Sequence, residues 1–110
     1  MQKFSLDALV RQHVEQALRS PAGRSSETVY GGHEHVLRQT LIALRAGTAL
    51  AEHENPGEAT LLVMRGRVRL RSGEHTWEGM AGDLLVVPPD RHSLEAVEDA
   101  AALLTVAKSP

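Results

Sequence analysis

The sequence contains no cysteine, and its aromatic residues amount to one Phe, one Tyr and one Trp. Without thiols there is no disulfide framework, no thiolate metal site and no thiol nucleophile. The scarcity of aromatics removes the stacking platforms on which single-stranded nucleic acids are bound. Charge of one sign is also lacking. Lys and Arg number 12 against 14 Asp and Glu, so there is no basic surplus to neutralise duplex phosphates. No run stays apolar over the roughly 20 residues that a membrane-spanning helix needs. Asp7, Arg11, Glu15 and Arg19 interrupt any secretion-signal core near the start. Together these absences point away from nucleic acid and membrane, and towards a cytoplasmic location.

What remains is 110 residues, 42% of them hydrophobic, which suits one globular domain and is too apolar for a disordered chain. Residues 5–19 place Leu6, Leu9, Val10, Val14, Ala17 and Leu18 at helical spacings, with charged residues elsewhere. Ser5 suits the N-cap, and Ser20-Pro21-Ala22-Gly23 stops the helix. From Thr28 onward the pattern becomes one of short strands. They are expected at 28–30, 35–44, 48–53, 59–65, 67–71, 75–78, 83–87, 92–97 and 101–107. Turn signals such as Gly31-Gly32, Asn55-Pro56-Gly57 and Pro88-Pro89-Asp90 separate several of them. The division is therefore an N-terminal helix and linker over 1–27 and a β domain over 28–110. Short strands without a second helix argue an antiparallel sandwich or barrel.

Within this pattern Arg65, Arg67, Arg69 and Arg71 are expected on one strand face, with Val68 and Leu70 on the other. A hairpin turn at Ser72-Gly73 would bring Glu74 opposite Arg71 and Glu78 opposite Arg67. A turn at Gly73-Glu74 would instead bring Glu78 opposite Arg69. In both registers acidic residues share the arginine face, which reads as a solvated, self-neutralised surface more readily than a phosphate patch. His75 and Trp77 then join Val68 and Leu70 on the other face.

The spacing from Gly47 onward is more specific. Gly47 is followed after five residues by His53, then by Asn55 and Gly66. Gly82 is followed after five residues by Pro88, and then by His92. This resembles the cupin family, whose motifs are G(X)5HXH(X)3–4E(X)6G and G(X)5PXG(X)2H(X)3N. The resemblance covers about residues 37–106, and the fifteen residues between Gly66 and Gly82 suit the short intermotif segment of small cupins. It implies an all-β cupin double-stranded β-helix, a jelly-roll barrel, here preceded by one amphipathic helix. It also implies a homodimer, since family members commonly pair through sheets and N-terminal segments.

In the family two His, a Glu and a third His ligate one divalent metal. Here Asn55 stands at the second His, Ala59 at the Glu and Asp90 at the second-motif glycine, while the final Asn is absent. His53 and His92 survive as metal candidates. A mononuclear site normally takes three protein ligands, so His35, or Glu58 if a bulge re-aims it, is the candidate third. Zn, Fe, Mn or Ni would suit such a set. Gln39, Asn55 and Trp77 are candidate ligand-binding residues of the lumen. Other chemistries fail on spacing. Ser93 faces away from its neighbour His92, and neither a nucleophile elbow nor a phosphate-cradling loop is present.

Three readings follow. In the first the lumen binds a small molecule, with or without a divalent metal. In the second the resemblance implies a metal-dependent enzyme such as a dioxygenase or isomerase. In the third the barrel is a dimerisation platform.

Overall fold

The computed structural model describes residues 2–54 and 57–108. One helix, α1 (Leu6–Arg19), precedes nine strands: β1 (Arg24–Tyr30), β2 (Leu37–Leu44), β3 (Ala49–His53), β4 (Gly57–Arg65), β5 (Arg67–Ser72), β6 (His75–Met80), β7 (Leu84–Val87), β8 (His92–Ala96) and β9 (Ala100–Lys108). No helix among the described residues is long and apolar enough to cross a membrane.

The strands form two antiparallel sheets, β1-β2-β9-β4-β7 and β3-β8-β5-β6. From β2 to β9 the chain alternates between the sheets except at the β5–β6 hairpin, which is jelly-roll connectivity. The sheets face each other across Leu44, Leu61, Val63, Val68, Leu70, Leu94, Ala102 and Val106. Burial of these side chains is the main driving force for closing one sheet over the other.

α1 covers the outer face of the first sheet. Ser5 caps it by accepting from the Ala8 amide at 3.3 Å. Val10, Val14 and Ala17 pack on Leu41, Ala43 and Ala101. The small side chains of Ala17, Ala43 and Ala101 let the helix approach the sheet closely. The helix is also fastened by polar groups, because the buried His13 meets Ser25 Oγ at 2.7 Å and Glu27 Oε1 at 2.6 Å.

Two expectations are refined. β1 begins at Arg24 and pairs with Leu44, so residues 24–27 belong to a sheet rather than to a linker. Arg65 ends β4, and Gly66 turns the chain at φ 74° before β5, so the ladder on β5 is Arg67, Arg69 and Arg71. Arg69 lies opposite Glu78, and Ser72 opposite His75, which places the hairpin turn at Gly73-Glu74. Arg69 meets Glu95 at 2.9 Å and Glu78 at 3.5 Å, while Arg67 meets Glu78 at 3.6 Å and Glu98 at 3.7 Å. Arg67 and Arg69 are thus answered by acids of the same face, whereas Arg71 lies opposite Thr76 and Ser93 and has no ion pair among the described residues.

Candidate functional site

Alternation sets the inner face of each strand. In β8, His92, Leu94 and Ala96 are buried, with Leu94 and Ala96 in the inter-sheet core. In β3, Leu50 packs against that core, and strict alternation from Leu50 would send His53 outward. It does not, because the ladder shifts. Leu50 pairs with Leu94 and His53 with His92, so β3 spends three residues where β8 spends two. This bulge returns His53 to the inner face.

The two imidazoles meet edge to face, with ring centroids 4.6 Å apart and planes at 62°. Each ring is held from behind. His53 Nδ1 lies 3.0 Å from the Ala51 carbonyl oxygen, and His92 Nδ1 lies 2.9 Å from that of Asp90. A carbonyl only accepts, so each Nδ1 donates a proton and each neutral ring keeps its lone pair on Nε2. Neither Nε2 has a hydrogen-bond partner among the described residues. Anchoring one ring nitrogen to a carbonyl so that the other can bind is how proteins prepare metal-ligating histidines.

The register extends the site into a row. His92 pairs with His53 on one side. On the other, β5 pairs with β8 so that Ser72 comes level with His92, and Ser72 pairs with His75. Ser72 Oγ donates to the Arg91 carbonyl at 2.9 Å. The next row inward is apolar, running Leu50, Leu94, Leu70 and Trp77. Trp77 thus belongs to the inner face, at the edge strand, stacked on His75 at 5.7 Å. This end of the second sheet thus carries a polar row next to an apolar one that leads into the core.

Other expected site residues lie elsewhere. Gln39 alternates with Leu41 and Ala43 beneath the helix, so it is on the outer face and not in the lumen, and its Nε2 donates to Thr105 Oγ1 at 3.2 Å. There it lines a cavity of about 210 Å³ with Phe4, Leu6, Val29, Tyr30 and Leu103. Glu58 is exposed and also points outward. β4 keeps unbroken register from Glu58 to Val63, so no bulge re-aims it, and Ala59 is the inward residue. His35 is exposed and packs edge-on against Tyr30, with centroids 5.3 Å apart. Asn55 lies outside the described residues. Among those residues no three His, Asp or Glu side chains gather around one point, so His53 and His92 stand as a pair.

Arg38 was not among the expected site residues. It pairs with Val106, a fully buried core residue, and is therefore on the inner face of β2. Arg38 keeps the parity of Ile42 and Leu44, which marks its face only once the structure shows that those two serve the core.

A two-sheet jelly roll whose interior receives histidines from two separate motifs defines the class: the chain has the cupin fold. No protein-family model and no curated protein matches the sequence. Solved structures do. A conserved Streptococcus pyogenes protein of unknown function is 26% identical, with a TM-score of 0.74 over 83% of this chain and 79% of that one. A cupin superfamily protein from Desulfitobacterium hafniense is 16% identical, with a TM-score of 0.72 over 78% of each chain. Salicylate 1,2-dioxygenase from Pseudoaminobacter salicylatoxidans, in adducts with gentisate, is 23% identical at a TM-score of 0.78. That match covers 94% of this chain but 32% of the dioxygenase, so the likeness is one of fold.

Proposed function

We propose that this protein binds a small molecule at the histidine end of its lumen, with a divalent transition metal held by Nε2 of His53 and His92. The observation that carries this reading is the shared orientation of the two rings, each donating through Nδ1 to a carbonyl while both face inward. A pair of protein ligands leaves two positions of a four-coordinate metal for water or for the guest. Of the apolar side chains beside the pair, the half-buried Leu50 and the exposed Trp77 are open to such a guest, while Leu70 and Leu94 are already buried in the core beneath them. The enzyme reading is not better supported, since among the described residues no third ligand joins the pair.

Calorimetric titration with Zn2+ tests the proposal. The wild type is expected to take up about one equivalent, and a His53→Ala, His92→Ala double variant none. Uptake by the double variant equal to that of the wild type, or no uptake by the wild type, contradicts it.

A homodimer is part of the same proposal. β7 is an edge strand, and its outward residues Leu84 and Val86 are 59% and 77% exposed. An uncharged edge of this kind invites pairing with a second chain.

A further inference from the structure

The inner face of the sandwich has a marked charge bias. Its described positions are Arg38, Thr40, Ile42 and Leu44 on β2; Leu50 and His53 on β3; and Ala59, Leu61 and Val63 on β4. They continue through the apolar, Ser and His positions of β5, β6, β7 and β8 to Lys108 at the end of β9. No Asp or Glu is among them. The acidic residues of the second sheet point out, where Glu78 and Glu95 serve the arginine ladder.

Of the two inward cations, Lys108 is committed. Its Nζ bonds the Gly32 carbonyl and lies 3.4 Å from that of His33. Arg38 is half-buried and has no ion-pair or hydrogen-bond partner among the described residues. A half-buried guanidinium without a protein anion is free to make charge-assisted hydrogen bonds to an anionic guest.

Arg38 stands at the same end as the histidines. β8 starts at His92 and turns into β9, which returns to end at Lys108, so His92 and Lys108 share an end. Two residues back from Lys108, Val106 pairs with Arg38. By the other route, β2 runs from Arg38 to Leu44, turns through Gly47, and β3 returns in the facing sheet to His53. One wall of the mouth therefore carries Arg38 and the other His53 and His92.

We infer that the guest of this site is a small organic carboxylate, with Arg38 taking its negative charge and His53 and His92, directly or through their metal, meeting its other end. This inference rests on the lumen-binding reading and names the ligand class for it. A cationic guest would meet Arg38 and find no acid on the inner face. A neutral guest would leave the guanidinium unanswered.

The test follows the side-chain 13C–1H signals of His53 and His92 by NMR while benzoate, or its neutral isostere benzamide, is added with and without one equivalent of Zn2+. Benzoate is expected to shift both rings and benzamide to leave them unmoved. Arg38→Gln is expected to weaken benzoate binding by about tenfold, since it removes a charge-assisted contact. Arg38→Lys should retain part of the affinity, and Arg71→Gln, on the outer face, all of it. Equal response to benzoate and benzamide, or unaltered benzoate binding by Arg38→Gln, overturns the inference. If Zn2+ moves the rings and benzoate does not, the carboxylate inference falls while the lumen reading stands. If neither moves them, both fall.

Discussion

At the scale of single residues, the site depends on which way a side chain points, and that depends on one extra residue in β3. His53 and His92 were legible as a pair from their motif spacings. The bulge that makes them meet was not, because Ala51 and Glu52 carry no sign that one of them is extra to the ladder. Gln39 shows the converse. It stands roughly level with the site along β2 but on the opposite face, where it meets Thr105. Alternation did not separate the two faces because β2 is covered on both. Leu41 and Ala43 serve the helix while Ile42 and Leu44 serve the core, and a strand buried on both sides reads as continuously apolar. Gly66 gives a prediction at this scale. Its φ of 74° and the Asp99 carbonyl beside it leave no room for a Cβ. Gly66→Ala should therefore cost about 1–3 kcal/mol in chemical denaturation. An unchanged midpoint would mean that this corner relaxes freely.

At the scale of elements, α1 and the second sheet act on opposite sides of one central layer. The helix was legible because its period of 3.6, its Ser5 cap and its Pro21-Gly23 stop agree. The burial of His13 was not, since its partners Ser25 and Glu27 lie in the first half of β1, where the residues carry no strand pattern. Leu41 is fully buried between α1 and β2, on the side away from the histidines. Leu41→Ala should lower stability by about 2–5 kcal/mol through the cavity it leaves. The same variant, measured below its unfolding transition, should bind Zn2+ as the wild type does. Loss of zinc uptake in a folded Leu41→Ala protein would show that the two faces are coupled.

At the scale of the whole molecule, jelly-roll connectivity pairs β3 with the sequence-distant β8, so His53 meets His92, and it sets Arg38 of the facing β2 at the same end. The motif glycines made the architecture legible, whereas the facing of β2 against β3 needed the structure. The outer surface is divided too. α1 shields one part of the first sheet, and the β7 edge with Leu84 and Val86 is bare. Light scattering should report a dimer, and Val86→Lys should shift it towards monomer by placing a charge on that edge. A wild-type monomer at working concentrations would contradict the homodimer.

The central claim is that His53 and His92 receive one guest between them through their Nε2 atoms. Nitrogen-15 NMR of histidine-labelled protein during Zn2+ addition tests it most directly, because it separates the two nitrogens of each ring. The account predicts that both Nε2 signals move together at a single equivalent, while both Nδ1 atoms keep their protons. Movement of one ring alone, or of neither, would contradict it.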